Sequence, residues 1–181
     1  RYQDSDGVWS NYSTATEFTT ILNPPTTLGQ SYQGGYYTGV INIGGGVCYY
    51  LIVAPNATGC ACCQWKTTRT ATSGTGSCVN GYTNTYGPMD NADHPAGNWT
   101  ATRTIGGYSD WYLPARDELN IMYTNKETMP AGEGFAAGCY WSSTEYTAGF
   151  ACFQQFFGSG TISLNNMSNS HRVRAVRRSP I

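Results

Sequence analysis

Only one stretch of this chain reads as a strong helix, and that decides the fold class. Leu113-Pro114-Ala115-Arg116-Asp117-Glu118-Leu119-Asn120-Ile121-Met122-Tyr123 opens on proline and carries two acids in the first turn, where the helix dipole favours them. Leu119, Met122 and Tyr123 then fall on one face at helical spacing, and Lys126 closes the segment. A weaker helix starts at Asp93-His94-Pro95, continues from Asn98 towards Ile105 and stops at Gly106-Gly107. The rest is cut short by glycine and proline, with β-branched and aromatic runs between the stops. The expected fold class is therefore α+β, with strands and long loops dominating.

The strands can be placed along the chain. Gln33-Gly34-Gly35 and Gly44-Gly45-Gly46 read as turns, and Cys48 to Ala54 is a compact strand stopped by Pro55-Asn56. Residues 56–90 are rich in Thr, Ser, Gly and Cys and read as a long irregular excursion held by Trp65. Short strands follow at Tyr140 to Ser143, Ala151 to Phe156 and Thr161 to Ser163, the last pairing back across Gly158-Ser159-Gly160. Arg172 to Arg178 alternates basic and small apolar residues and reads as one strand, with a bulge or two-sided burial near its end. Residues 1–30 are expected to be a linker or oligomerisation arm, in which Val8, Trp9, Phe18, Ile21 and Leu22 pack on a partner chain or on the main domain; a first strand of the same domain is the alternative. Residues 31–181 are expected to form the main domain.

Composition narrows the function classes. A net charge of −1 with 12% charged residues gives no bulk attraction to nucleic acid or acidic membranes. No apolar run approaches the ~20 residues a membrane span requires, so membrane insertion is not expected. Seven cysteines point to an oxidising exterior. The group Cys60, Cys62, Cys63 and Cys78 lacks paired C-x-x-C spacing and a nearby His, which favours a loop disulfide or free thiols over zinc. No metal or cofactor is expected.

The motifs of a kind that carries chemistry elsewhere have plain structural readings here. Asp117 and Glu118 beside Arg116 suit a helix first turn better than a catalytic set. His171 has no Ser or Cys at a fixed spacing and reads as an exposed face residue. Trp65, Trp99, Trp111 and Trp141 read as buried or half-buried anchors. Among the late phenylalanines, Phe156 belongs to the core, whereas Phe153 and Phe157 are expected to turn outwards as contacts. Arg172, Arg174, Arg177 and Arg178 form either a basic stripe for anionic ligands or the solvent face of a strand. After position 140 the only acid is Glu145, so a calcium-dependent sugar site is not expected in the late loops.

Several motifs occur in an order that resembles a known family. They are Tyr32-Gln33-Gly34-Gly35, Leu51-Ile52-Val53-Ala54-Pro55, Gly106 through Leu119 (with Trp111-Tyr112-Leu113-Pro114), Tyr140-Trp141-Ser142-Ser143-Thr144-Glu145 and Arg172-Val173-Arg174-Ala175-Val176-Arg177. Together they resemble the C-terminal domain type of the Legionella collagen-like adhesin. The resemblance implies a C-type-lectin-like fold: two helices around a small, mostly antiparallel sheet with long loops and a ligand face built late in the chain. It also implies likeness to the variable proteins of diversity-generating retroelements. On that template the ligand-binding, variable positions are Thr147, Ala148, Gly149, Phe150, Cys152, Phe153, Phe157, Thr161, Ser163, Leu164, Asn165, Asn166, Ser168, Asn169, Ser170 and His171. Gln154, Phe156, Gly160, Ile162, Met167 and Arg172 are framework, and many relatives carry Trp where this chain has Cys152.

The function this implies is a receptor-binding display module without catalytic residues. Its expected partner is a host cell-surface protein or glycan, and its expected assembly a homotrimer. It would sit at the tip of a phage tail fibre, on the virion, or alternatively on a bacterial surface as an adhesin. Two rivals are weighed: a formylglycine-generating-type oxidase, whose paired-cysteine site is not found, and a virion decoration without ligand.

Overall fold

A computed structural model of the protein describes residues 23–181. The expected apolar contacts of Val8, Trp9, Phe18, Ile21 and Leu22 lie outside the described residues. The end of the expected arm packs on the domain: the Gly29 amide donates to Tyr37 O, and the Tyr37 amide donates back to Gln30 O.

Two sheets divide the strands. The first has the order β1-β2-β3-β9 and is built from Ser31–Tyr32 (β1), Gly35–Asn42 (β2), Cys48–Val53 (β3) and Val176–Pro180 (β9). Its β2–β3 turn is the glycine triplet Gly44-Gly45-Gly46, all at positive φ, which no side chain tolerates as easily. The second has the order β4-β8-β5-β6-β7, from Cys60–Gln64 (β4), Cys139–Thr147 (β5), Phe150–Gln155 (β6), Ile162–Asn166 (β7) and Ser170–Arg174 (β8). Its pairs are antiparallel except for a single parallel bridge between β5 and β8.

Four short α-helices fill the connections: Asn56–Gly59 (α1), Gly81–Thr85 (α2), Pro95–Ala101 (α3) and Arg116–Thr124 (α4). The α+β expectation holds, but with two sheets and four helices among the described residues in place of one small sheet between two helices. The weaker helix ends at Ala101, short of Ile105. The 56–90 stretch corrects the expectation of an irregular excursion, because Cys60–Gln64 pairs along its whole length with β8.

The run expected as one strand, Arg172 to Arg178, is also corrected. It is two strands broken at Ala175, where the chain leaves the five-stranded sheet for the four-stranded one. Ala175 accepts from the Ala54 amide and donates to Gly59 O, so the crossing residue keeps its backbone partners (both 2.9 Å).

That crossing buries the arginines. Arg174 is fully buried; its guanidinium donates to Ala54 O, Asn56 Oδ1, Gly134 O and Glu133 O, and stacks over Phe135. Arg177 pairs with Asp110 at 2.8 Å, donates to Gln33 and lies over the Tyr108 ring. Arg178 donates to Asn80 Oδ1 and stacks on Tyr49 and Tyr82. Both sequence readings therefore fail for Arg174 and Arg177, which brace the interior, while Arg172 alone of the four is exposed.

The strong helix forms as its sequence requires. Leu119 and Met122 are buried, and Tyr123 packs edge-on to Phe156. Glu118 is buried in its first turn and accepts from the amides of Ala115 (2.7 Å) and Gly81 (3.0 Å) and from the Tyr112 hydroxyl (2.9 Å). One carboxylate thereby ties together α4, α2 and the segment just ahead of α4.

Candidate functional site

In an antiparallel pair, residues opposite each other share a face, and alternate residues take opposite faces. This rule splits the expected ligand positions. Phe153 stands opposite Trp141 and Ser163, and Ala151 opposite Asn165. Phe150 stands opposite Asn166, Cys152 opposite Leu164, and Gln154 opposite Ile162. The first set lies on one face of the sheet with Val173, Ala61 and Cys63. The second lies on the other, where Gln154 Nε2 donates to Asn120 Oδ1 of α4.

On the first face the contacts converge around His171. Its ring lies 4.4 Å from that of Trp141 and 5.1 Å from that of Phe153. Burial holds its pKa below the usual histidine value. A neutral ring leaves Nε2 free to accept from Asn165 Nδ2 at 2.8 Å, and Asn169 Nδ2 donates to Asn165 Oδ1 at 2.8 Å. Thus His171, Asn165, Asn169 and Phe153 form one joined patch. His171 is half-buried, a correction of the expectation of an exposed face residue. Beside it Cys62, Cys139, Ser170 and Arg172 line a recess of about 390 Å³.

Further corrections concern the template positions. Phe153 is 8% exposed and belongs to the core with Trp65, Trp141, Met167 and Val173, so it does not turn outwards. Cys152 is 5% exposed, enclosed between the sheet and the start of α4. Gly149 is buried at φ +88°, and a side chain there would press on Arg69, so this turn position is fixed by geometry. In the opposite sense, Ile162, expected as framework, is 40% exposed on the edge strand, whereas Met167, also expected as framework, is fully buried.

The remaining positions are at the surface. Thr147 ends β5 and Ala148 begins the β5–β6 turn, with Phe150 just beyond it under the Arg69 guanidinium. Phe157 and Thr161 lie in the β6–β7 turn, Ser163 and Leu164 on β7, Ser168 and Asn169 in the turn to β8, and Ser170 opens β8. Asn166 Oδ1 is committed to the Ser168 amide and hydroxyl, which shapes that turn. Tyr146, absent from the expected set, is 64% exposed next to Thr147. Its position at the end of a buried strand gave no sign of this, because the bulges between Trp141 and Thr147 reset the alternation there.

The cysteines, all within the described residues, are free thiols. No group of three or more His, Cys, Asp or Glu among the described residues is placed to hold a metal ion, and no described helix is long and apolar enough to cross a membrane. No curated protein matches the chain. The model of the family described as the Lcl C-terminal domain matches residues 56–177, from α1 to the first residues of β9, and so spans the five-stranded sheet and every described helix. The chain belongs to the Lcl C-terminal domain family, that of the C-terminal domain of the Legionella collagen-like adhesin.

Proposed function

We propose that this domain is an adhesin-like surface module that binds an extracellular ligand along the β6–β7 edge of its five-stranded sheet. The observation that carries this reading is the run of exposed large apolar side chains along that edge: Tyr146 and Phe150 at the β5–β6 turn, Leu164 on β7, and Phe157 and Ile162 at the β6–β7 turn. Grouped exposed apolar side chains with polar neighbours mark contact surfaces, whereas scattered ones do not. Family membership supports the adhesin-like role; a C-type-lectin-like frame that presents late loops to a ligand belongs to the same reading.

In its finer form the module binds a host cell-surface protein or glycan without catalysis and without an obligatory calcium ion. It works as a homotrimer, which multiplies weak contacts into avidity. Placement at a phage fibre tip and retroelement-driven variation between Thr147 and His171 belong to this finer form. A reverse transcriptase and a template repeat beside the gene would support the variation, and their absence would remove it without touching the adhesin role.

The test is a cell-binding assay with Phe157→Ala and Leu164→Ser, each at an exposed position. The expected result is a loss of binding of tenfold or more for the pair, with unchanged melting temperature and no effect of EDTA on the parent. Full binding by the double variant would overturn the face assigned here.

A further inference from the structure

Between the tip of the β5–β6 hairpin and the loop ahead of α2 lies an open depression of about 380 Å³. One wall is the segment Ala71 to Gly76, the other Glu145 to Ala148. The loop wall is held in place from within. Lys66, 6% exposed, donates from Nζ to Thr70 O, Ala71 O and Thr72 Oγ1 at 3.0, 3.0 and 2.9 Å. The Thr72 hydroxyl is also 2.8 Å from His94 Nε2. A buried ammonium wrapped by its own loop fixes this wall before any ligand arrives.

Glu145 joins the two walls but is only half satisfied. Its Oε2 accepts from the Thr72 amide at 2.8 Å and from the Thr75 hydroxyl at 2.9 Å. Its Oε1 is shielded from bulk solvent and has no hydrogen-bond partner among the described residues. None of the ion pairs among the described residues includes Glu145. An unmet carboxylate oxygen is costly, and a ligand bringing a charged donor recovers that cost. Next to it the Tyr146 ring stands 64% exposed, a surface on which a cation or the apolar face of a sugar can lie. Ser73 and Thr147 line the same depression with hydroxyls suited to sugar oxygens.

We propose that this depression is a subsite for a sugar bearing a free, protonated amine, with Glu145 receiving the ammonium and Tyr146 lying against the ring. The inference rests on the ligand-display reading above and names the ligand chemistry for one end of that surface.

The test is a titration of the isotope-labelled protein, followed by backbone amide spectra, with glucosamine, N-acetylglucosamine and lysine methyl ester in parallel. Glucosamine should shift the amides of Thr72, Tyr146 and Thr147 in a saturable way. N-acetylglucosamine, which has lost the charge, should bind at least tenfold more weakly. Glu145→Gln keeps an oxygen for Thr72 and Thr75, so the loop should remain folded while glucosamine binding falls at least tenfold; Tyr146→Ala should weaken it several-fold. No shift with glucosamine, equal shifts with the acetylated sugar, or full binding by the Gln variant would overturn the proposal. Lysine methyl ester binding as well as glucosamine would overturn the assignment to a sugar. In the cell-binding assay, loss with Phe157→Ala and Leu164→Ser but full binding with Glu145→Gln would sink this subsite and leave the display surface standing.

Discussion

Glu118 shows how much a single side chain can settle. Burial raises its pKa to about 7, against the opposing pull of the Ala115 amide, the Tyr112 hydroxyl and the Gly81 amide. The folded state therefore holds a proton more tightly than the unfolded chain does. Stability is greatest below the unfolded value of 4.5 and falls as pH rises to about 7, then levels off. At roughly 1.4 kcal/mol per pKa unit the span is on the order of 3 kcal/mol. Glu118→Gln keeps an acceptor for the two amides and removes that titration, so its urea midpoint should lose the decline of the parent between pH 5 and pH 7 and rise slightly instead, because burial lowers the pKa of His94 and His171. An unchanged slope in the variant would show that another group controls it. The sequence pointed to Glu118 as a first-turn acid and stopped there, because the partners that make it a hub, Gly81 and Tyr112, are joined to it only by the fold.

Among the elements, α4 and the β6–β7 hairpin were readable because local signals agreed: proline, acids and apolar spacing in one, alternation around Gly158-Ser159-Gly160 in the other. β4 was hidden, since Cys60-Ala61-Cys62-Cys63-Gln64 has neither aliphatic bulk nor clear alternation and becomes a strand only through its pairing with β8. The candidate surface was half readable. The sequence placed its residues between positions 147 and 171 but could not show that pairing sends Phe153 inwards and leaves Ile162 on an outer edge. Two substitutions separate framework from surface. Gly160 sits at φ +68° with the Tyr123 ring against its α-carbon, so Gly160→Ala should cost about 1–3 kcal/mol and lower the melting temperature visibly. Leu164→Lys, on the exposed side of β7, should change stability by no more than about 0.5 kcal/mol. A stable Gly160→Ala variant would show that the hairpin relaxes freely away from α4.

Across the whole molecule, the two sheets are held together from the buried side of the strand run that crosses between them. Arg174 reaches from β8 to the carbonyl that ends β3 and to the loop ahead of β5, with Glu133 at 3.7 Å as its acid partner. Removing it strands buried carbonyls and leaves Glu133 unpaired, so Arg174→Ala should cost about 3–5 kcal/mol in a denaturant titration. A loss below about 1 kcal/mol would mean that water takes over its bonds. An assembled trimer would appear as three times the chain mass in light scattering, and a single-chain mass for a chain that includes residues 1–30 would count against trimer formation. The crossing at Ala175 also has a mechanical side. β8 and β9 follow one another through a single residue, so tension applied beyond Pro180 runs along β9. The paired residues from Tyr49↔Pro180 to Val53↔Val176 then share the load in shear and do not open one at a time. A module that must hold a surface under flow would resist pulling best from that end.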